Sequence, residues 1–215
     1  MVVFTMIFGN FARIPSDGLP YAVFVFAGLL PWTFFANGVT AAGQSLVSQQ
    51  NLLTKIYFPR VMVPAASFGA PLLDLAISFG VLGVIMVCYQ VVPPTAIVLI
   101  PLLVILTVLA GLGVGLVLAA LTVSYRDFRF VIPFMIQAWM YVSPVVYPVS
   151  LVPEQYRLML GINPMAGIIN AYRSAILGTP WDVPLLAISS AVAAVLFVFG
   201  LYYFSKVERR FADIV

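Results

Sequence analysis

The stretch Asn51-Leu-Leu-Thr-Lys-Ile-Tyr-Phe-Pro-Arg60 separates two long, predominantly apolar runs and decides how the chain is organised. Asn51 is a residue type that caps the first turn of a helix, and Pro59 would end the helix. The apolar residues in between, Leu52, Leu53, Ile56 and Tyr57, fall on one helical face. The pattern predicts a short amphipathic helix between two membrane spans.

The basic residues of this stretch, Lys55 and Arg60, place it on the cytoplasmic side, because Lys and Arg are concentrated in cytoplasmic loops. A helix with an exposed apolar face at that position must rest on the bilayer or dock into another protein. Resting on lipid would suit a passive membrane protein. Docking would make the chain part of a driven assembly.

Composition sets the class of protein. The 215 residues are 63% hydrophobic and 8% charged, with a mean hydropathy of +1.13. An ordinary soluble domain has about 25% charged residues. We therefore expect an all-α integral membrane protein, forming a single domain over residues 1–215, with about six spans of roughly 20 residues each. The modest net charge of +3 argues against a nucleic-acid surface.

Five spans and part of a sixth can be placed from hydropathy, proline and glycine. Met1 to Phe8 is apolar but too short, so it predicts the outer half of an incomplete first span. The complete spans are predicted at Tyr21 to about Ser45, Pro64 to about Gln90, Thr95 to about Val123, Phe130 to about Val149, and Val183 to about Phe204. Breaks at Ser143-Pro144 and Tyr147-Pro148 interrupt the outer end of the fifth of these six segments.

Two short helices precede the last span, at Pro153 to Leu160 and Pro164 to Leu177. Each begins at proline and is followed by glycine, and Asn163 is a typical cap for the second helix. The second helix would be about 21 Å long, which is too short to cross the roughly 30 Å of hydrocarbon. The segment therefore predicts a pair of re-entrant helices that dip into the membrane from outside.

The distribution of basic residues fixes the orientation. Seven of the ten Lys and Arg lie on the predicted inner side, and three lie on the outer side. The inner residues are Lys55, Arg60, Arg126, Arg129, Lys206, Arg209 and Arg210, and the outer ones are Arg13, Arg157 and Arg173. This bias predicts a cytoplasmic C-terminus.

The sequence offers little chemistry of its own. It lacks a Gly-x-x-x-x-Gly-Lys-Ser/Thr phosphate loop, a Ser-His-Asp set and metal-ligand spacing, and it has no histidine. No catalytic residue, metal or bound cofactor is predicted. Asp74, the one acid well inside a span, is either a proton relay or a helix-to-helix hydrogen-bonding residue, and we favour the second interpretation because no other intramembrane acid could receive its proton.

Aromatic and small residues also admit two interpretations. Aromatic residues make up 14% of the chain, and most would form interfacial belts or packing contacts. Some could instead line a path for sugars, namely Trp32, Phe34, Phe35, Trp139, Tyr141 and Tyr147. Gly111, Gly115 and Ala119 recur at intervals of four, which favours close helix packing over a dimer seam.

Five ordered motifs together carry a family resemblance: Leu29-Leu-Pro-Trp-Thr-Phe-Phe35, the hinge Asn51 to Arg60, Ser124-Tyr-Arg-Asp-Phe-Arg129, Ser143-Pro-Val-Val-Tyr-Pro148, and Asn163-Pro-Met-Ala-Gly167 with Tyr172-Arg173. The chain resembles the permease subunit of polysaccharide and polyol-phosphate ATP-binding-cassette exporters. That family usually has a cytoplasmic amphipathic segment and a complete first span before this point, so further residues upstream of Met1 are expected.

The resemblance implies a homodimer in the bacterial inner membrane, paired with two ATPase subunits that bind ATP and Mg²⁺. Its cargo would be a lipid-linked polysaccharide such as O-antigen, capsule or teichoic acid.

Residues of the hinge would couple to the ATPase: Leu53, Lys55, Ile56, Tyr57, Phe58 and Arg60. Tyr125, Arg126 and Asp127 would form the second cytoplasmic loop, and Arg173 would join the aromatic residues of the substrate path. A proton-coupled transporter using Asp74 is the alternative, and a lipid-modifying enzyme ranks third.

Overall fold

A computed structural model describes residues 20–49 and 59–208, and within these ranges all regular structure is helical. The predicted all-α class is therefore confirmed for this part of the chain. The predicted half-span Met1 to Phe8 and the hinge from Asn51 to Phe58 lie outside the described residues. The helices are α1 (Tyr21–Ser48), α2 (Met62–Ala66), α3 (Gly69–Cys88), α4 (Ile100–Ser124), α5 (Phe128–Val142), α6 (Glu154–Leu160), α7 (Pro164–Leu177) and α8 (Val183–Glu208), with 3₁₀ turns at Thr95–Leu99 and Val149–Leu151.

Four stretches of the described chain are long and apolar enough to cross a membrane. They are α1, α2 with α3, the first 3₁₀ turn with α4, and α8. The predicted fifth span differs, because α5 has 15 residues and ends at Val142 instead of Val149. At about 1.5 Å per residue it is roughly 22 Å long. Pro144 explains the early end, since the residue before a proline avoids helical backbone and Ser143 is extended.

Helix α4 lies at the centre of the bundle, between α1 and α8. Small residues allow these close approaches. A Cβ added to Gly113 would lie 2.6 Å from the carbonyl carbon of Leu196 in α8, and one on Gly115 would lie 2.7 Å from the Cβ of Ala42 in α1. The predicted packing role of the small-residue stripe in α4 is thus confirmed at Gly115.

Long-range hydrogen bonds define the two ends of the bundle. At one end Gln44 Nε2 donates to the Arg129 carbonyl oxygen at 3.5 Å, and Arg60 Nη1 donates to that of Glu208 at 3.3 Å. At the other end the Tyr21 hydroxyl donates to the Val146 carbonyl oxygen at 3.3 Å. The first end carries the charged turn after α4 and the end of α8, as the predicted cytoplasmic side requires. We call the opposite end the outer end.

The outward faces of α3, α5 and α8 carry large apolar side chains. Leu73 and Ile77 of α3 are each 68% exposed, Phe134 of α5 is 75% exposed and Val195 of α8 is 67% exposed. Cys88, the single cysteine of the chain, is also exposed. Such a surface suits a hydrocarbon environment, where apolar side chains face lipid.

The close contact of α4 with α8 can be tested by adding one methyl group. Gly113→Ala should lower the free energy of unfolding by about 1–3 kcal/mol, because the new Cβ would lie 2.6 Å from the backbone of α8 and would force the two helices apart. Thermal unfolding of the detergent-solubilised protein measures the change. The matched control is Gly83→Ala in α3, where the added Cβ has no atom of another helix within 4 Å among residues 20–49 and 59–208. Equal midpoints for the two variants would contradict this packing.

Candidate functional site

Helix α7 is embedded in the bundle at the outer end. All of its 14 residues except Asn170 and Leu177 are buried, and it contacts α1, α4 and α8. Its cap is Asn163, Pro164 begins the helix, and Gly178 ends it with φ of 74°. Helix α6 has no buried residue. The two helices predicted as an equivalent re-entrant pair therefore differ, because only α7 is enclosed by other helices.

Asn163 joins the start of α7 to the end of α5. Its Oδ1 accepts hydrogen bonds from the Met165 amide and from Trp139 Nε1, both at 3.1 Å. Its Nδ2 donates to Ser143 Oγ at 2.9 Å. The cap predicted from the sequence is present, and the same side chain also fixes the position of the break after α5.

Arg173 of α7 holds the irregular segment that follows α5. Its side chain is 2% exposed. Nη1 donates to the carbonyl oxygens of Pro144 at 2.8 Å and Tyr147 at 3.2 Å, and Nη2 donates to that of Val145 at 2.6 Å. The guanidinium carbon lies 3.8 Å from the centroid of the Phe24 ring in α1. We call Arg173 and these three carbonyls the arginine bracket.

The bracket requires a close approach between α1 and α7. Gly28 makes this approach possible, since a Cβ there would lie 2.5 Å from Arg173 Nη2 and 2.9 Å from the Val145 carbonyl oxygen. From the sequence we expected Arg173 to meet substrate. In the structure Arg173 donates hydrogen bonds to three backbone carbonyls, which is a structural role, and its contact with substrate stays a prediction. Sequence reasoning did not identify Phe24 and Gly28 as part of this contact. The only signal in the sequence was the pair of prolines that interrupts the chain after α5.

A cavity of about 670 Å³ opens beside the bracket. We call it the outer cavity. Its lining comes from the start of α1, the turn after α5, α6, α7 and the segment before α8: Phe24, Pro148, Val149, Ser150, Arg157, Asn170, Arg173, Thr179, Pro180, Trp181, Asp182 and Pro184.

The aromatic residues predicted for a substrate path fall into two environments. Trp32, Phe34 and Phe35 are buried in the core, and the Phe35 and Trp139 rings pack edge to face with centroids 5.3 Å apart. These residues therefore support the helix packing within the single chain. Tyr141 is instead 69% exposed, and Tyr147 is partly buried beside Arg173. The structure does not bring the predicted path residues together in one lining.

The inner end presents the predicted second loop. Tyr125 is 63% exposed, and Arg126 and Asp127 are also exposed. The Tyr125 ring lies 6.2 Å from that of Phe128. Of the predicted coupling residues, Arg60 is partly buried against the end of α8, and the others, Leu53, Lys55, Ile56, Tyr57 and Phe58, lie outside the described residues.

Asp74 lies on the exposed face of α3, beside a small cavity of about 70 Å³ that Thr33 and Asn37 of α1 and Ser78 of α3 also line. Its carboxylate makes no hydrogen bond to any residue in the ranges 20–49 and 59–208, so the helix-to-helix hydrogen bond that we favoured from the sequence is not formed there. Four polar side chains nevertheless cluster around this small cavity between the two helices.

Long apolar helices, a lipid-type surface and charged loops at one end define a multi-pass membrane protein. The family model of the ABC-2 type transporter matches residues 1–177, and the chain belongs to this family. It is therefore an inner-membrane permease subunit, and the family implies association with ATP-binding subunits.

Relatives support the family. The chain is 28% identical over 217 residues to the O-antigen export system permease protein RfbA of Myxococcus xanthus. The aligned region covers 99% of this chain and 82% of that relative. Two proteins of the same name from Klebsiella pneumoniae are 28% and 24% identical over 196 residues, covering 91% of this chain and 76% of each relative.

The arginine bracket predicts a large effect of a single substitution. Arg173→Gln should lower the free energy of unfolding by at least about 3 kcal/mol, because buried carbonyls lose a charged donor and keep no replacement. The stability of Arg173→Lys should fall between those of the unsubstituted protein and Arg173→Gln, since one ammonium group cannot reproduce the planar fork of donors of a guanidinium. Thermal unfolding measures both. The control is Arg157→Gln, which removes a single 3.3 Å hydrogen bond at the surface. A midpoint for Arg173→Gln no lower than that of the control would contradict the bracket.

Proposed function

We propose that this permease exports a lipid-linked polysaccharide from the cytoplasm to the outer face of the inner membrane, with ATP hydrolysed by a separate subunit. The observation that carries the proposal is the likeness, along nearly the whole chain, to relatives named as O-antigen export permeases. The missing phosphate loop adds support, because the chain needs another source of energy.

The membrane topology that we propose has six crossings. Helix α5 starts at the charged end, and Val146, four residues beyond it, is hydrogen-bonded to Tyr21 at the outer end. Helix α5 together with residues 143–148 would therefore make the fifth crossing, partly in irregular backbone. Such backbone is tolerated at membrane depth only where protein satisfies it, as the arginine bracket does. Helix α7 would enter from outside and return without crossing.

We also propose that two copies assemble with their polar faces towards each other. Thr33 and Asn37 of α1 and Asp74 of α3 are exposed in the single chain, although they lie within stretches long enough to span the bilayer. Polar and ionisable side chains are costly against lipid and usually face a partner helix or a water-filled path. A second copy would cover this face and could enclose the route of the glycan.

Coupling to the ATPase would occur at the inner end. The exposed loop Tyr125 to Asp127 lies at the end where Gln44 and Arg129 meet, and Arg60, the last residue of the predicted hinge, is hydrogen-bonded to Glu208 at the same end. ATP and Mg²⁺ would be bound by the partner subunits alone. This arrangement gives the exposed apolar face of the predicted hinge helix a protein to dock against.

The source of energy can be tested in liposomes. Purified chain without an ATPase should not move a lipid-linked glycan when a proton gradient is imposed, whereas the complex with its ATPase and Mg-ATP should. Asp74→Asn should leave ATP-driven export within about twofold of the unsubstituted protein, because the proposed mechanism uses no proton relay at this carboxylate. Transport by the chain alone, or its abolition by Asp74→Asn in the complex, would favour a proton-coupled transporter.

The topology can be tested by labelling single cysteines in a Cys88→Ala background. Cysteines at Gln155 in α6 and Asn170 in α7 should react with an impermeant thiol reagent added outside, since both positions are at the outer end and are not buried. A cysteine at Lys206 in α8 should react only from the cytoplasmic side. Labelling of position 206 from outside would contradict this topology. Labelling of position 155 only from the cytoplasmic side would also contradict it.

A further inference from the structure

We propose that the outer cavity is a binding site for an anionic sugar unit, one that carries a carboxylate or a phosphate. The inference extends the proposed function, on which its sugar component rests. At about 670 Å³ the cavity falls within the range of roughly 300–1,000 Å³ typical of small-molecule sites. Five separate segments of the chain meet around it, so the site exists only in the folded bundle.

The cavity offers hydrogen-bond donors that the described chain does not use. Arg157 Nε donates to the Val152 carbonyl oxygen at 3.3 Å, and neither of its Nη groups has a hydrogen-bond partner in residues 20–49 or 59–208. The side-chain amide of Asn170 is likewise without a partner in those ranges. A guanidinium with two available N–H groups matches a carboxylate or phosphate in a bidentate pair, and an amide can bind a hydroxyl.

The charge balance favours an anion over a neutral ligand. Arg157 and Arg173 contribute two positive charges to the lining, and Asp182 contributes one negative charge. Asp182 Oδ1 accepts a hydrogen bond from the Leu185 amide at 3.1 Å, so the carboxylate is held by the positively polarised first turn of α8. The charged side chains of the lining therefore sum to +1, which favours an anionic ligand.

An aromatic wall favours a sugar over a simple inorganic anion. Trp181 is 38% exposed and lines the cavity together with Pro148, Pro180 and Pro184. Tryptophan offers a rigid apolar face and one N–H donor. A sugar ring has the complementary surface, with apolar C–H groups on its faces and hydroxyls around its edge. A charged sugar unit would thus use the Trp181 face and the Arg157 guanidinium together.

Calorimetric titration of the purified chain in phosphatidylcholine nanodiscs tests the proposal. Glucuronic acid and glucose are the probes, because they share the ring and differ in the carboxylate. Glucuronic acid should bind with a dissociation constant in roughly the millimolar range, about tenfold tighter than glucose. Arg157→Gln should remove this preference, and Trp181→Ala should weaken both sugars. The control, Arg126→Gln at the inner end, should change neither.

Several outcomes would overturn the proposal. Absence of glucuronic acid binding, equal binding of the two sugars, or an unchanged preference in Arg157→Gln would each do so. A phospholipid headgroup shares the phosphate chemistry, so the titration is repeated with phosphatidylglycerol in the nanodiscs. If that lipid competes with glucuronic acid through Arg157, the site belongs to a lipid headgroup and the assignment to a sugar is wrong.

Failure of this site and failure of the proposed function give different results. Glucuronic acid binding by a chain whose complex exports no glycan would leave the site intact and refute the export function. Glycan export by a complex whose permease binds no glucuronic acid would refute the site alone. Thermal unfolding of Arg157→Gln and Trp181→Ala at the unsubstituted midpoint confirms that lost binding is not lost folding.

Discussion

The outer half of this protein depends on the hydrogen bonds that the buried guanidinium of Arg173 donates to three backbone carbonyls. Helix α5 stops after 15 residues, and the chain beyond it continues without a helical hydrogen-bond ladder. In hydrocarbon, each unpaired carbonyl would cost several kcal/mol, since no water is present to bind it. Arg173 supplies the missing donors to Pro144, Val145 and Tyr147 from a different helix. The interruption of the helix after α5 thereby becomes a fixed feature of the fold.

The position of α7 follows from the same constraint. A guanidinium can hold these carbonyls only if its helix is inserted among its neighbours, and α7 is enclosed by α1, α4 and α8. Two further polar contacts fix its start: Asn163 binds Ser143, and Ser189 of α8 accepts from the Gly167 amide at 3.0 Å. The outer end is consequently a packed unit of several helices. The outer cavity lies on its surface and takes its shape from it.

The sequence was sufficient for features that depend on local backbone chemistry. Pro144 predicted the break, Asn163 and Pro164 predicted the start of α7, and Gly115 predicted a close helix approach. It was insufficient for features set by long-range packing. Arg173 meets carbonyls 26 to 29 residues away, which no local pattern encodes. Periodicity also failed to separate buried from lipid-facing positions, because both are apolar in a membrane protein, so the burial of Phe35 and the exposure of Cys88 could not be predicted.

Energy coupling through the hinge is the central claim of the functional account, and replacing Tyr57 and Phe58 by Ala tests it most directly. The permease variant is reconstituted with its ATPase, and ATP hydrolysis and glycan export are measured in the same liposomes. The flanking spans keep their apolar length, so the variant should insert normally. We predict that hydrolysis continues while export falls by about tenfold or more, since docking contacts that transmit the nucleotide cycle are lost. Export at the unsubstituted rate would contradict the account and leave the hinge as a helix that rests on lipid.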